Sequence, residues 1–199
     1  MKSEASLKAL RPQAMAYSGP VVVPRRLAVA AQLLIAALTA LQLALAVAGG
    51  TGSELFARSV PVLGPLFVVT VVVFLCWFRR CRLNAQCIAP GTQHHSAGLA
   101  VGAWFVPLAM WWIPRRIALD IWRAGNPAGG TWLIEAWWVA WLAKTVGSVA
   151  VGRFGVRPAG YSVYDEVVGV IAAVLAILVI QRITDRQGVG AAARQAARK

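Results

Sequence analysis

The chain of 199 residues predicts an all-helical fold embedded in a membrane. Three observations lead there. Apolar residues make up 59% of the chain, well above a soluble domain of this length. They fall in long charge-free blocks rather than with the two- or 3.6-residue period of half-buried strands and helices. Inside hydrocarbon only structures that satisfy their own backbone hydrogen bonds survive, so such blocks are helices. The third observation, the placement of Lys and Arg, fixes how many blocks cross.

Residues 1–26 form a basic N-terminal tail with Lys2, Lys8, Arg11, Arg25 and Arg26, and its small, polar first 20 residues read as mobile. Leu27 to Ala48 follows, 22 residues without a charge, and then Ser59 to Phe78, 20 residues. Each matches the roughly 20 residues a helix needs to cross about 30 Å of hydrocarbon. Ala46-Val47-Ala48 before Gly49 superficially resembles a signal-peptide cleavage site. The apolar run is longer than the roughly 7–15 residues of a signal core, so it reads as a retained first span. Gly98 to Pro114 is apolar over 17 residues, a length that permits a short span, a re-entrant hairpin or an interfacial segment. Thr131 to Gly152 carries Glu135 and Lys144, and Val163 to Gln181 carries Asp165 and Glu166 only at its start. Residues 183–199 are a basic tail, with 187–199 read as mobile.

Charge decides between four crossings and five. If Gly98–Pro114 does not cross, 16 basic residues share one side, against Arg58, Arg153 and Arg157 on the other, with Lys144 inside a span. If it crosses, the split is ten against nine. Loop Lys and Arg set orientation, so four spans are predicted, at about 27–48, 59–78, 131–152 and 163–181 within one membrane domain, 27–182. Both termini are then cytoplasmic.

The central segment, 98–124, is expected to be a proline-broken re-entrant or interfacial element followed by an amphipathic helix. Pro107 lacks a backbone donor and restricts Val106 before it. Pro114 ends the apolar run and suits the first position of a new helix, Arg115–Ala124. There Ile117, Ile121 and Trp122 share a face, while Arg116, Asp120 and Arg123 have pairing offsets. Gly125-Asn126-Pro127 stops the helix. Eight of nine tryptophans fall between Trp104 and Trp141. Indoles favour the headgroup layer, so an anchoring belt is the expectation, with a ligand-stacking pocket as the other reading. Gly98-x3-Gly102 would allow close helix packing within the chain or between copies.

The pattern WFRRCRLNA from Trp77, followed by GLAVGAWFVP and WIPRRIALDIW up to Trp122, resembles the bacterial integral-membrane proteins of the domain of unknown function 4328 family. The positions carrying the resemblance are Arg79, Asn84, Ala85, Gly98, Gly102, Trp104, Pro107, Pro114 and Trp122. It extends in layout over about Leu27 to Gln181. Leu99 and Met110 stand where members often carry an aromatic and an asparagine. The resemblance implies a fold and a bacterial cytoplasmic-membrane location, and no catalytic residue.

Candidate chemistry is sparse. The net charge of +13 sits at span ends, where it orients the chain and meets anionic headgroups. No nucleic-acid module accompanies it. Cys81, Cys87, His94 and His95 are weak metal candidates, since they make C-x5-C-x6-H-H, with Cys76 upstream, without the paired C-x2-C spacing of a zinc knuckle. No metal or other cofactor is expected. Beside the cytoplasmic face the thiols should be reduced, and Cys81 between Arg80 and Arg82 is a weak lipidation-type position. The chain has no GxSxG, P-loop or HExxH motif, and seven carboxylates leave little acid–base chemistry. Glu135 and Lys144 are ionisable groups inside a span, which default to a functional hypothesis. Against that, Glu135 could pair with Arg115 or Arg116, and Lys144 could snorkel towards Asp165 or Glu166. Two functions therefore stand. The first is a non-enzymatic scaffold or regulator binding anionic lipids, other membrane proteins or a second copy through Arg79, Arg80, Arg82, Arg115, Arg116, Trp122 and Arg123. The second is a small-solute or proton carrier using Glu135 and Lys144, with the segment broken at Pro107 lining the path.

Overall fold

The computed structural model describes residues 21–125, 129–153 and 163–196, and all regular structure among them is helical. Lys2, Lys8, Arg11, Asn126, Pro127, Arg157, Arg198 and Lys199 lie outside the described residues.

Helix α1, Arg25–Val47, starts directly after Pro24, whose restricted φ and missing N–H suit a helix start. It ends before Gly49 and Gly50, at φ 103° and 70°, a left-handed corner that glycine enters without steric penalty. Helix α2, Glu54–Ile88, follows. Ser53 caps it by accepting from the Phe56 N–H, and Glu54 in the first turn pairs with Arg58. Pro61 and Pro65 lie inside α2 without ending it. After the loop come a single turn, α3 (Leu99–Gly102), a tight turn at Ala109–Trp111, and α4 (Ile113–Gly125). Helix α5 spans Trp132–Arg153 and α6 spans Val163–Ala196.

Helices α2 and α6 both outrun their apolar blocks. Residues 187–196, whose composition reads as a mobile tail, are helical. The reason is packing: the two extensions lie together, with Gln187 buried and a methyl on Gly190 reaching 3.5 Å from the Ile88 side chain. A polar composition says a segment can be solvated, but it does not exclude a neighbour of matching length.

The long helices form an arc in the order α5, α6, α1, α2, each packed on the next. Residues 98–125 occupy the space between α2 and α5 at one end. Side-chain contacts identify that end: Val22, Arg82, Asp120, Glu135 and Gln187 meet there, so the start of α1, the ends of α2 and α6 and the start of α5 lie together. At the opposite end, Gly147 takes the Tyr164 ring so closely that an added methyl would stand 2.8 Å from it. Small residues at such crossings let helix backbones approach.

Helices α1, α2 and the Tyr164–Ala193 part of α6 are long and apolar enough to cross a membrane. Helix α5 has the length, 22 residues, but carries Glu135, Lys144 and four tryptophans.

Candidate functional site at the basic end

The basic end is built around buried polar side chains rather than an open charged face. Arg82 lies on α2 where the helix runs past its apolar block, and it is only 2% exposed. Its guanidinium donates through Nε and Nη2 to the His95 carbonyl, and through Nη1 to Gln86 Oε1 at 3.2 Å. One side chain thus ties the 89–98 loop to α2. The same loop is held from the other side by α4: Gln93 Nε2 donates to the Asp120 carbonyl at 3.1 Å, and the His94 N–H and ring nitrogen approach Asp120 Oδ2. Asp120 and Arg82 also attract each other electrostatically. The offsets within α4 suggested that Asp120 would pair with Arg116 and Arg123. Instead its carboxylate turns inward to the loop, because the face carrying Asp120 is the packed face of the helix.

A second knot joins α2, α6 and the segment leading into α1. Asn84 Nδ2 donates to the Val22 carbonyl and to Gln187 Oε1, both at 2.9 Å, and Gln187 Nε2 donates to the Cys81 carbonyl at 2.8 Å. One turn away, Trp77 Nε1 donates to Thr184 Oγ1 at 3.0 Å. These groups are buried, and hydrogen-bond partners are what make such burial tolerable.

The third feature is a charge pair. Arg115 at the start of α4 meets Glu135 in the first turn of α5 through two parallel bonds, Nε to Oε2 at 2.6 Å and Nη2 to Oε1 at 2.7 Å. Bidentate geometry makes this one of the stronger arrangements available to such a pair. Glu135 also sits at the positive end of its helix. Lys144, on the other half of α5, reaches the Asp165 backbone carbonyl at 2.9 Å. Both charges are therefore engaged, Glu135 with one of the two arginines named for it and Lys144 with the backbone carbonyl of one of the two acidic residues named for it.

Between α2 and α5 lies a continuous aromatic cluster. Trp104 stands edge-on to Phe74 and Phe78 of α2 and to Trp138 and Trp141 of α5, with ring centroids 5.5–6.2 Å apart. Its buried indole N–H has no hydrogen-bond acceptor among the described residues. Trp137 continues the cluster to Phe74. Trp122 packs below Arg186, whose guanidinium is 3.9 Å from the ring centroid, and donates to the Gly130 carbonyl. Of the tryptophans expected to form an anchoring belt, Trp111, Trp112 and Trp132 are exposed. The other indoles cement the interior. Spacing along the chain could not tell these groups apart.

Of the seven residues expected to form a lipid or partner face, Arg82 and Trp122 are buried, half-buried Arg115 is paired with Glu135, and Arg80 reaches towards the Val22 carbonyl. Arg79, Arg116 and Arg123 remain exposed. Pro114 is buried in the first turn of α4. Pro107 lies in the turn between Phe105 and Leu108, whose side chains are 70% and 75% exposed. Gly98 precedes and Gly102 ends the single turn α3, and among the described residues no close helix approach uses them. Cys81 and Cys87 are buried while the His94 ring is largely exposed, and no group of three His, Cys, Asp or Glu side chains gathers among the described residues. The Cys–His spacing therefore does not converge on a metal geometry there.

Residues 19–185 match a family model described as Domain of unknown function (DUF4328), so the match covers most of the chain. No curated protein and no solved structure matches it.

Proposed function

We propose that this chain, which belongs to the family described as Domain of unknown function (DUF4328), is a four-span scaffold or regulator of the bacterial cytoplasmic membrane. Helix α5 is the third of the four spans, both termini are cytoplasmic, and the exposed arginines of α4 bind a partner membrane protein. The observation carrying this reading is the Arg115–Glu135 bidentate pair. It neutralises the acidic group of α5 locally and joins α4 to the bundle, which leaves Arg116 and Arg123 on a firmly mounted helix facing outward. A carrier needs its acidic group free to exchange protons or ions, and this carboxylate is occupied by a guanidinium.

The segment before α4 is a shallow re-entrant dip. Trp104 lies beside Phe74 and Trp141, both within apolar blocks. The backbone N–H groups of Ala103, Trp104 and Phe105 all donate to the preceding turn, and Pro107 has none to satisfy. These properties support a place at membrane depth, where unmet backbone groups are costly. In a variant whose cysteines are alanine, single cysteines at Thr92 and Arg123 should react with an impermeant maleimide from the same side, and one at Gly52 from the other. Labelling of Thr92 and Arg123 from opposite sides would make 98–114 a crossing and overturn the four-span topology.

For the scaffold role, the full-length protein extracted from its own membrane in mild detergent should migrate as an assembly larger than one protein-loaded micelle. The R116Q/R123Q double variant should return it to monomer size, since losing two rim charges weakens association mainly through encounter and salt dependence. An assembly that survives both substitutions would exclude α4 as the docking face.

A further inference from the structure

Helices α1 and α6 leave an outward groove of about 590 Å³ at the basic end. Buried Ala28 lies in its floor, and Gln32 Nε2 donates to the Ile177 carbonyl at 3.1 Å, holding the two helices together. At its upper end are Arg25 and Gln181, and towards its lower end Val29, Leu33 and Ala36. Arg26 and Arg182 line smaller grooves that continue from it on either side. The single carboxylate is Asp185, so four arginines, Arg25, Arg26, Arg182 and Arg186, outweigh one acid across this surface.

We propose that this groove binds one anionic glycerophospholipid of the cytoplasmic leaflet, its phosphate at Arg25 and Arg182 and one acyl chain along Val29, Leu33 and Ala36. The proposal rests on the membrane reading above. Three arguments select this occupant. Charge falls at one end of the groove only and apolar surface at the other, which is the polarity of a lipid and not of a soluble anion. From Arg25 to Ala36 the helix rises roughly 16 Å, close to half of a hydrocarbon core about 30 Å thick, so the groove is one leaflet deep. A second copy related by a two-fold axis would present the same net positive surface to itself, which like-charge repulsion disfavours. The site shares no residue with the arginines of α4, so it adds a lipid-recognition element to the proposed scaffold.

The test uses full-length protein in mild detergent, titrated with phosphatidylglycerol or phosphatidylcholine and read by native mass spectrometry and melting temperature. Phosphatidylglycerol should be retained as one adduct per chain and raise the melting temperature, and phosphatidylcholine should do neither. R25Q/R182Q should weaken phosphatidylglycerol retention about tenfold or more, since each basic group near an anionic surface contributes appreciably. L33W, which fills the apolar part and keeps every charge, should also lower retention, and R58Q, at an exposed arginine in the second turn of α2, should leave it unchanged. Equal retention of both lipids, or phosphatidylglycerol binding unaffected by both groove variants, overturns the site. Equal stabilisation by glycerol phosphate alone would make it a soluble-anion site and overturn the lipid assignment. A groove that fails while maleimide topology and assembly hold leaves the scaffold standing; a chain that does not partition into vesicles at all removes both.

Discussion

Trp104→Ala is expected to loosen the bundle more than any other single truncation in the central segment. The ring stands edge-on to four aromatic side chains from two helices, α2 and α5. Residues 98–125 fill the space between those helices at this end. Removing the indole opens a cavity that neither helix can close by sliding, because α2 is fixed to α1 and α6 by the Asn84–Gln187 knot and α5 is packed along α6. Aromatic-to-alanine changes in cores cost about 3–5 kcal/mol. A value near the low end, about 3 kcal/mol, is expected here, since lipid tails solvate apolar groups as well as a protein interior does and only the packing part is lost. A detergent-solubilised W104A protein should melt well below the parent, and W104F should recover much of the difference by keeping a ring in the slot. Equal melting temperatures for W104A and parent would mean that α2 and α5 are held by contacts other than this ring.

Arg82→Met is the second large effect expected, and it separates the loop latch from helix packing. Methionine keeps much of the side-chain volume but removes every donor. The His95 carbonyl then loses both of its guanidinium bonds, Gln86 loses one, and buried Asp120 keeps only the largely exposed His94 and loses its nearby cation. Taking one partner from a buried charged arrangement costs about 3–5 kcal/mol because the remaining groups are stranded. The 89–98 loop can swing into water and recover part of that, so roughly 2–3 kcal/mol is expected. The sharper readout is limited proteolysis, with cleavage between residues 89 and 98 much faster in R82M while the helices stay protected. Protection of that loop equal to the parent would show that α4, through Gln93 and Asp120, holds it unaided. Arg82→Lys should fall between the two, since a single ammonium cannot reproduce the forked geometry.

The existence and approximate extents of the long helices were legible in the residues. Apolar blocks longer than any soluble strand dictated them; α1 and α5 lie within two residues of their blocks at each end, while α2 and α6 run about ten and fifteen residues past theirs. The mismatches share one cause. Arg79 to Ile88 and Gln187 to Ala196 are polar enough to be solvated, yet each is helical because the other lies against it, and a pattern within one segment cannot report a partner more than 100 residues away. The same limit hid the meaning of Arg82 and Asn84. Both stand in the recognisable WFRRCRLNA run, but nothing in that run says they turn inward to His95, Val22 and Gln187. Gly147 shows the limit from the other side: a glycine in an apolar block carries no signal until Tyr164 is seen resting on it.

The candidate charges divided along similar lines. Glu135 and Lys144 drew notice from the sequence, since ionisable groups in an apolar helix demand an explanation. Arg115 was one of two equivalent arginines along the chain, and the helical turn that brings it rather than Arg116 onto α5 decided the pair. Tryptophan placement was ambiguous for a related reason. Indoles serve as interfacial anchors or as interior cement, and only the packing of α2 against residues 98–112 assigned Trp104 to the interior and Trp111 and Trp112 to the surface.

By itself the sequence determined the helical class, the apolar blocks and the concentration of positive charge near particular block ends, because backbone satisfaction in hydrocarbon and the solvation of charge act on each segment separately. Only the tertiary structure decided which arginines are structural and which are exposed, that the central segment wedges the bundle through Trp104, and that α1 and α6 leave a charged-to-apolar groove between them. Those outcomes depend on distances between segments remote in sequence, and a side chain's role follows from the partner it meets.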